Sequence, residues 1–196
     1  MRHIKMINKK KKKIIIISLL ITVFVIWLAM FLDVNHRFPQ NTEDAIPVGT
    51  WRECGGLEIQ GVGRTIYLAG EFKEMMERDF PDEAYGVHDD SRGVVATVKV
   101  RNPSDESVNL GLYFSEGFVC EAYPSGYSNG FHCMSAKTGL LPAHTDEPME
   151  VKIVYTLIPG TVKSDAIARK LDEDSFRLVH KLYPVKQYIE LDSNSK

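Results

Sequence analysis

Cys120 and Cys133 are the residues of this chain whose type and spacing come closest to a defined piece of chemistry. They flank a segment holding two strong turn signals, Pro124-Ser125-Gly126 and Ser128-Asn129-Gly130. If the strands on either side pair, the two Cα atoms come within the roughly 4.4 to 6.8 Å that a disulfide spans. In an oxidising compartment a loop of this size contributes about 3 kcal/mol in the chain-entropy account. The other reading is that both are reduced, buried, small apolar side chains. Cys54, beside Gly55-Gly56, is left over and reads as a buried thiol rather than a reactive one.

Metal and nucleophile patterns are thinner. Cys120, His132 and Cys133, or His88, Asp89 and Asp90, supply donor atoms but lack the Cys-x-x-Cys or His-x-x-x-His spacing that places ligands on one side of a fixed backbone. Asp89-Asp90 reads as an exposed acidic loop. Gly126-Tyr127-Ser128-Asn129-Gly130 has the spelling Gly-x-Ser-x-Gly, but a strand at Phe131–Met134 rather than a helix is expected after it, so the strand–turn–helix context of a nucleophile elbow is missing. Gly61-Val62-Gly63 lacks the third glycine and the following helix of a phosphate-cradling loop. Catalysis needs groups that converge, not an inventory of Ser, His and Asp. The expectation is a protein that is not an enzyme, with no metal and no cofactor.

The remaining candidate is a binding loop. Tyr123-Pro124-Ser125-Gly126-Tyr127-Ser128-Asn129-Gly130-Phe131 has the composition of a recognition segment. Tyrosine offers contact area at low entropic cost, while Ser and Asn adapt their hydrogen bonds. Tyr123, Tyr127, Asn129 and Phe131 are the partner-binding candidates. The alternative is that these aromatics fold back and close the core.

The elements that must position these residues read mainly as strands. Val94, Ala96, Val98 and Val100 alternate with Val95, Thr97, Lys99 and Arg101, the period-2 signature of a strand with one buried face. Asn102-Pro103-Ser104-Asp105-Glu106 then supplies turn chemistry, and a hairpin to Val108–Phe114 is the natural continuation. Met149, Val151, Ile153, Tyr155 and Leu157 mark a second amphipathic strand, ended by Pro159-Gly160. Val185 to Leu191 is the last strand. Weaker ones are expected at Leu57–Ala69, Phe118–Ala122, Phe131–Met134 and Phe176–His180. Phe72, Met75, Met76 and Phe80 recur at helical spacing ahead of Pro81, and Ser164 caps a short helix to Leu171. Several short strands with Gly and Pro turns predict a mainly β protein of immunoglobulin-like β-sandwich type with one or two short helices.

Ahead of that domain lies a different kind of sequence. The nineteen residues Ile14 to Leu32 carry no charge and follow five consecutive lysines, Lys9 to Lys13. At about 1.5 Å per residue they make roughly 28 Å of helix, one bilayer crossing. Seven of the 24 Lys and Arg residues precede Ile14, with no acidic residue among them, and Asp33 follows the apolar run. Cytoplasmic flanks hold such an excess, so the N-terminus is expected inside and the C-terminal domain outside. A cleaved signal peptide has a shorter core and a small-x-small site, and here only Ala29 is small near the end of the run. A retained single-pass anchor is the simpler account. The lysines then serve topology, with headgroup contact as a lesser role.

The net charge of −2 hides an asymmetry, since the part after Lys13 keeps 17 basic against 26 acidic residues, a net of −9. That argues against nucleic acid, or an anionic membrane or wall surface, as a partner, since like charges repel and phosphate binding needs a basic patch. The organisation expected is residues 1–13 cytoplasmic, 14–32 transmembrane, 33–50 a stalk rich in turn formers, and 51–196 one extracytoplasmic domain.

The order VVATVKVRNPSDESVNL, LLPAHTDEPMEVKIVYTLIPG and LVHKLYPVKQYIELD resembles the uncharacterised signal-anchored or lipid-anchored surface proteins of Gram-positive bacteria with an immunoglobulin-like, telokin-like ectodomain. The resemblance spans Gly93 to Asp192 and departs from that pattern at Pro142-Ala143-His144, where Pro-Gly is common. It implies a fold and a cell-surface location and brings no catalytic residues. The expected function is therefore a non-enzymatic module that binds another surface or membrane protein, or a ligand. The alternatives are a shed structural envelope protein and, less so, an envelope hydrolase.

Overall fold

The computed structural model describes residues 2–37, 42–126, 131–136 and 139–192, with side chains described at 13–34, 42–126 and 139–192. The chain divides into two units, residues 1–41 and 42–196. The first is α1 (Arg2–Arg37). Within it Lys13–Val34, 22 residues, is long and apolar enough to cross a membrane, and none of it is buried in protein.

The second unit runs β1 (Thr42–Ile46), β2 (Trp51–Cys54), β3 (Leu57–Tyr67), α2 (Glu71–Asp79), β4 (Arg92–Asn102), β5 (Val108–Asn109), α3 (Leu110–Gly117), β6 (Val119–Tyr123), β7 (Phe131–Ala136), β8 (Leu140–Leu141), β9 (Thr145–Leu157), α4 (Asp165–Leu171), β10 (Ser175–Lys181) and β11 (Val185–Glu190). One sheet has the order β1-β11-β10-β6, the other β2-β3-β4-β9-β7, and β5 pairs with β8 alone. The fold is a β-sandwich with several short helices.

Alternation builds the core. Val94, Ala96, Val98 and Val100 of β4 join Val151, Ile153 and Tyr155 of β9 against Cys120, Ala122, Phe176, Leu178 and Ile189 of the facing sheet. The opposite face of the five-stranded sheet is covered too, because Phe72, Met75, Met76 and Phe80 of the α2 segment pack on Val95 and Val154. That second cluster explains why Val95, outward-facing by period, is only 5 % exposed. Leu110 and Phe114 of α3 and Ala168 and Leu171 of α4 enter the main core. The two-residue turn joining β2 and β3 is Gly55-Gly56, with φ of 55° and 90°. Two successive positive φ values are what a tight hairpin of native twist demands, and glycine adopts them without strain.

The structure corrects two sequence expectations. The stalk predicted for 33–50 is not one: α1 continues to Arg37, and Thr42–Ile46 is a strand paired in parallel with Val185–Ile189. The compact unit therefore begins at Thr42 rather than Trp51. Its partner strand lies more than a hundred residues downstream, so no local pattern announces it. The hairpin expected from Val108 to Phe114 stops after Asn109, whose side chain caps α3 by accepting from the Leu112 amide at 3.1 Å. The apolar alternation Leu110, Leu112, Phe114 suits a strand, but the cap and full burial of Leu110 and Phe114 at helical spacing favour the helix.

Candidate binding face

A strand packed on one face must present its alternate residues on the other. In the four-stranded sheet those outward positions are Val119, Glu121 and Tyr123 on β6, Arg177 on β10, and Lys186 and Tyr188 on β11. The pairings Arg177↔Glu121, Arg177↔Glu190 and Ser175↔Tyr123 bring them together. The Arg177 guanidinium carbon lies 4.0 Å from the Tyr123 ring centroid and 4.3 Å from that of Tyr188, so the cation is held between two aromatic faces. Lys186 Nζ meets Glu121 Oε2 at 2.6 Å, and the Tyr188 hydroxyl donates to Glu43 Oε2 at 3.2 Å. Burial pushes the Tyr188 hydroxyl above its ordinary pKa, against a smaller opposing pull from Arg177.

The guanidinium is well placed but sparsely used. Its Nη1 lies 3.8 Å from Glu43 Oε2, too long for a hydrogen bond, and is buried with no hydrogen-bond partner among the described residues. Stacking on both faces fixes the orientation of the planar cation, and the side chain is only 11 % exposed, so it is Tyr123 above it that meets solvent. Tyr123, 48 % exposed, is the accessible rim of this arrangement. Unlike the five-stranded sheet, this outer face gathers no second apolar cluster among the described residues.

Of the predicted loop, Tyr123 therefore ends β6 and faces away from the core, which the reading of a core-closing aromatic did not anticipate for it. Ser125 lines a shallow depression of about 250 Å³ with Ile167, Lys170 and Leu171. Tyr127 and Asn129 lie outside the described residues. Phe131 begins β7, its backbone opposite Leu157, and its side chain lies outside the description. Arg177, Tyr188 and Glu43 were missed in sequence. The first two sat at outward positions of correctly placed strands, and Glu43 lay in a segment read as stalk.

The strands that carry Cys120 and Cys133 do not pair with each other. Cys120 is buried on β6, which pairs with β10, whereas Cys133 is on β7, which pairs with β9 in the other sheet. The hairpin invoked to bring them together is not formed, and the Cys133 side chain lies outside the described residues. Cys54 is buried, and burial raises its thiol to about 11 from 9.0, so it holds its proton at neutral pH. Asp89, from the acidic loop, takes Lys73 Nζ at 2.6 Å. Among the described residues no three His, Cys, Asp or Glu side chains gather to hold a metal.

No family model matches the chain and no curated protein is similar to it. Among solved structures, the chain is similar to an uncharacterised β-sandwich protein from Clostridium difficile 630, with 12 % identity, 78 % of this chain and 97 % of that one covered, and a TM-score of 0.45.

Proposed function

We propose that this protein is a single-pass, membrane-anchored, non-enzymatic binding module whose immunoglobulin-like sandwich works outside the cytoplasm. The anchoring half rests on the uncharged helix and the seven cations before it, which favour an N-terminus retained inside. The binding half rests on one observation: Arg177 held between Tyr123 and Tyr188 on a sheet face that no second apolar cluster covers. Stacked Tyr and Arg are the side chains that most often dominate protein interfaces, because they bring area and directed donors at small ordering cost. The partner is another surface or membrane protein that seats on Tyr123, the exposed rim of the stack.

The test is photocrosslinking in intact cells from a probe at the exposed Ser125, two residues past Tyr123, in the parent chain and in Tyr123→Ala. A discrete adduct that disappears in Tyr123→Ala, with melting temperature nearly unchanged, supports the reading. An adduct unaffected by the substitution removes Tyr123 from it. Recovery of the chain only in the medium, truncated near Asp33, rejects the anchor in favour of a shed envelope protein.

A further inference from the structure

The exposed apolar side chains of the second unit are unevenly placed. Leu112, Val119, Leu140, Leu182 and Tyr183 are 59 %, 42 %, 65 %, 63 % and 60 % exposed, and the pairing scheme puts them at one end of the sandwich. Val119 opens β6 opposite Val179, just before the Leu182-Tyr183 tip that joins β10 to β11. Asn109 pairs with Leu140 and caps the turn containing Leu112. Across the sandwich, the Tyr113 hydroxyl donates to the Cys54 carbonyl, and the Phe118 and His180 rings stack at 5.0 Å, so the β2–β3 turn, α3 and the end of β10 share this end. Val62, Tyr85, Tyr123 and Ile158 are the other large exposed apolar residues among those described in this unit.

This is also the end where the chain enters. Thr42, the first residue of β1, pairs with Val185, two residues past Tyr183. Only residues 38–41 separate Thr42 from Arg37, the last residue of α1. Five Cα-to-Cα steps reach at most about 18 Å.

We propose that this end of the sandwich rests on the lipid surface, inserting Leu182 and Tyr183 into the headgroup boundary; the proposal rests on α1 being a membrane anchor. A tether so short keeps the tip at high effective concentration beside any bilayer that α1 spans, so a few apolar side chains suffice where a free domain would need many. Tyrosine beside leucine is the interfacial combination, with an apolar ring sunk and a hydroxyl kept wet. The exposed Lys181 and Glu116 on either side of the patch suit a zwitterionic headgroup, which offers both a phosphate and a cation. Docking at this end leaves Tyr123, at the far end of β6, turned away from the membrane.

The full chain is reconstituted into phosphatidylcholine vesicles carrying headgroup-labelled nitroxide lipid, with an environment-sensitive fluorophore on Tyr183→Cys or on Ile158→Cys at the opposite end. The labelled parent chain supplies the background from native cysteines. The expected result is flotation with the vesicles and loss of most emission at position 183 with little loss at 158. Equal emission at both positions in a floating chain overturns the proposal and leaves the anchor standing. Equal emission, accompanied by a disulfide-linked dimer when the unlabelled Tyr183→Cys chain is oxidised, assigns the patch to a second copy instead. A chain that does not float overturns both the anchor and the docking. Leu182→Ser in the Tyr183→Cys chain is expected to restore emission while flotation persists, and unchanged quenching in that variant also overturns the proposal.

Discussion

The ring of Phe72 on α2 lies directly over the Cα of Gly93 on β4, so close that a β-carbon there would fall inside the ring's van der Waals surface. This contact seats α2 on the five-stranded sheet, because Phe72 is fully buried and belongs to the outer cluster with Val95 and Val154. Gly93→Ala is expected to destabilise the fold by about 1 to 3 kcal/mol, the usual cost of overpacking a tight core. Denaturant unfolding measures it, and Gly93→Ala paired with Phe72→Leu should recover part of the loss. A neutral single variant would show that α2 is free to lift.

Asn102 is fully buried at the end of β4 and acts as a clamp. Its amide nitrogen donates to the Glu106 carbonyl at 2.8 Å and the Pro142 carbonyl at 2.9 Å, and its oxygen accepts from the Ser104 amide at 3.2 Å. Asn102→Asp replaces the donor by an anion facing carbonyl oxygens, at an expected cost of about 3 kcal/mol at neutral pH. Protonation returns a donor, so the deficit relative to the parent should shrink as pH falls toward the carboxyl range. A deficit independent of pH would show that shape, not donor chemistry, matters here.

His144 takes φ of 54°, in the left-handed region that glycine tolerates best. It stands where the Pro142-Ala143-His144 turn departs from Pro-Gly. Its ring nitrogen approaches Asp105 at 3.1 Å, but both side chains are largely exposed and the pair adds little. His144→Gly is expected to raise stability by up to about 1 kcal/mol through relief of that backbone strain. A lower melting temperature for the variant would mean that the contact with Asp105 outweighs the strain.

The Cys54 thiol, at about 11 in the folded state against 9.0 ordinarily, makes stability depend on alkali. From about pH 9 the unfolded chain releases a proton that the folded chain keeps, so stability falls as pH rises and the loss levels off above the folded value. Between about pH 8 and about pH 10.5 the contribution is about 2 kcal/mol. Tyr113, pushed up by its own burial and then by Cys54, adds to the same trend at higher pH. Cys54→Ala, measured by chemical denaturation at both pH values, should lose less than the parent by that amount. Parallel losses in the two proteins would contradict the burial of the thiol.

Periodicity is a local property, and what it can encode was readable in the sequence. The apolar run 14–32, the alternation of Val94 to Val100 and Met149 to Leu157, and the amphipathic α2 and capped α4 each depend on neighbours a few residues apart, and each is present in the structure. Which elements meet is decided by packing between distant segments. The parallel pairing of Thr42–Ile46 with β11 and the separation of Cys120 and Cys133 into different sheets follow from partners far along the chain. The binding face shows the same division. The loop composition singled out Tyr123, but only the register of β6, β10 and β11 sets Arg177 between it and Tyr188, because a sandwiched cation exists only where three strands align.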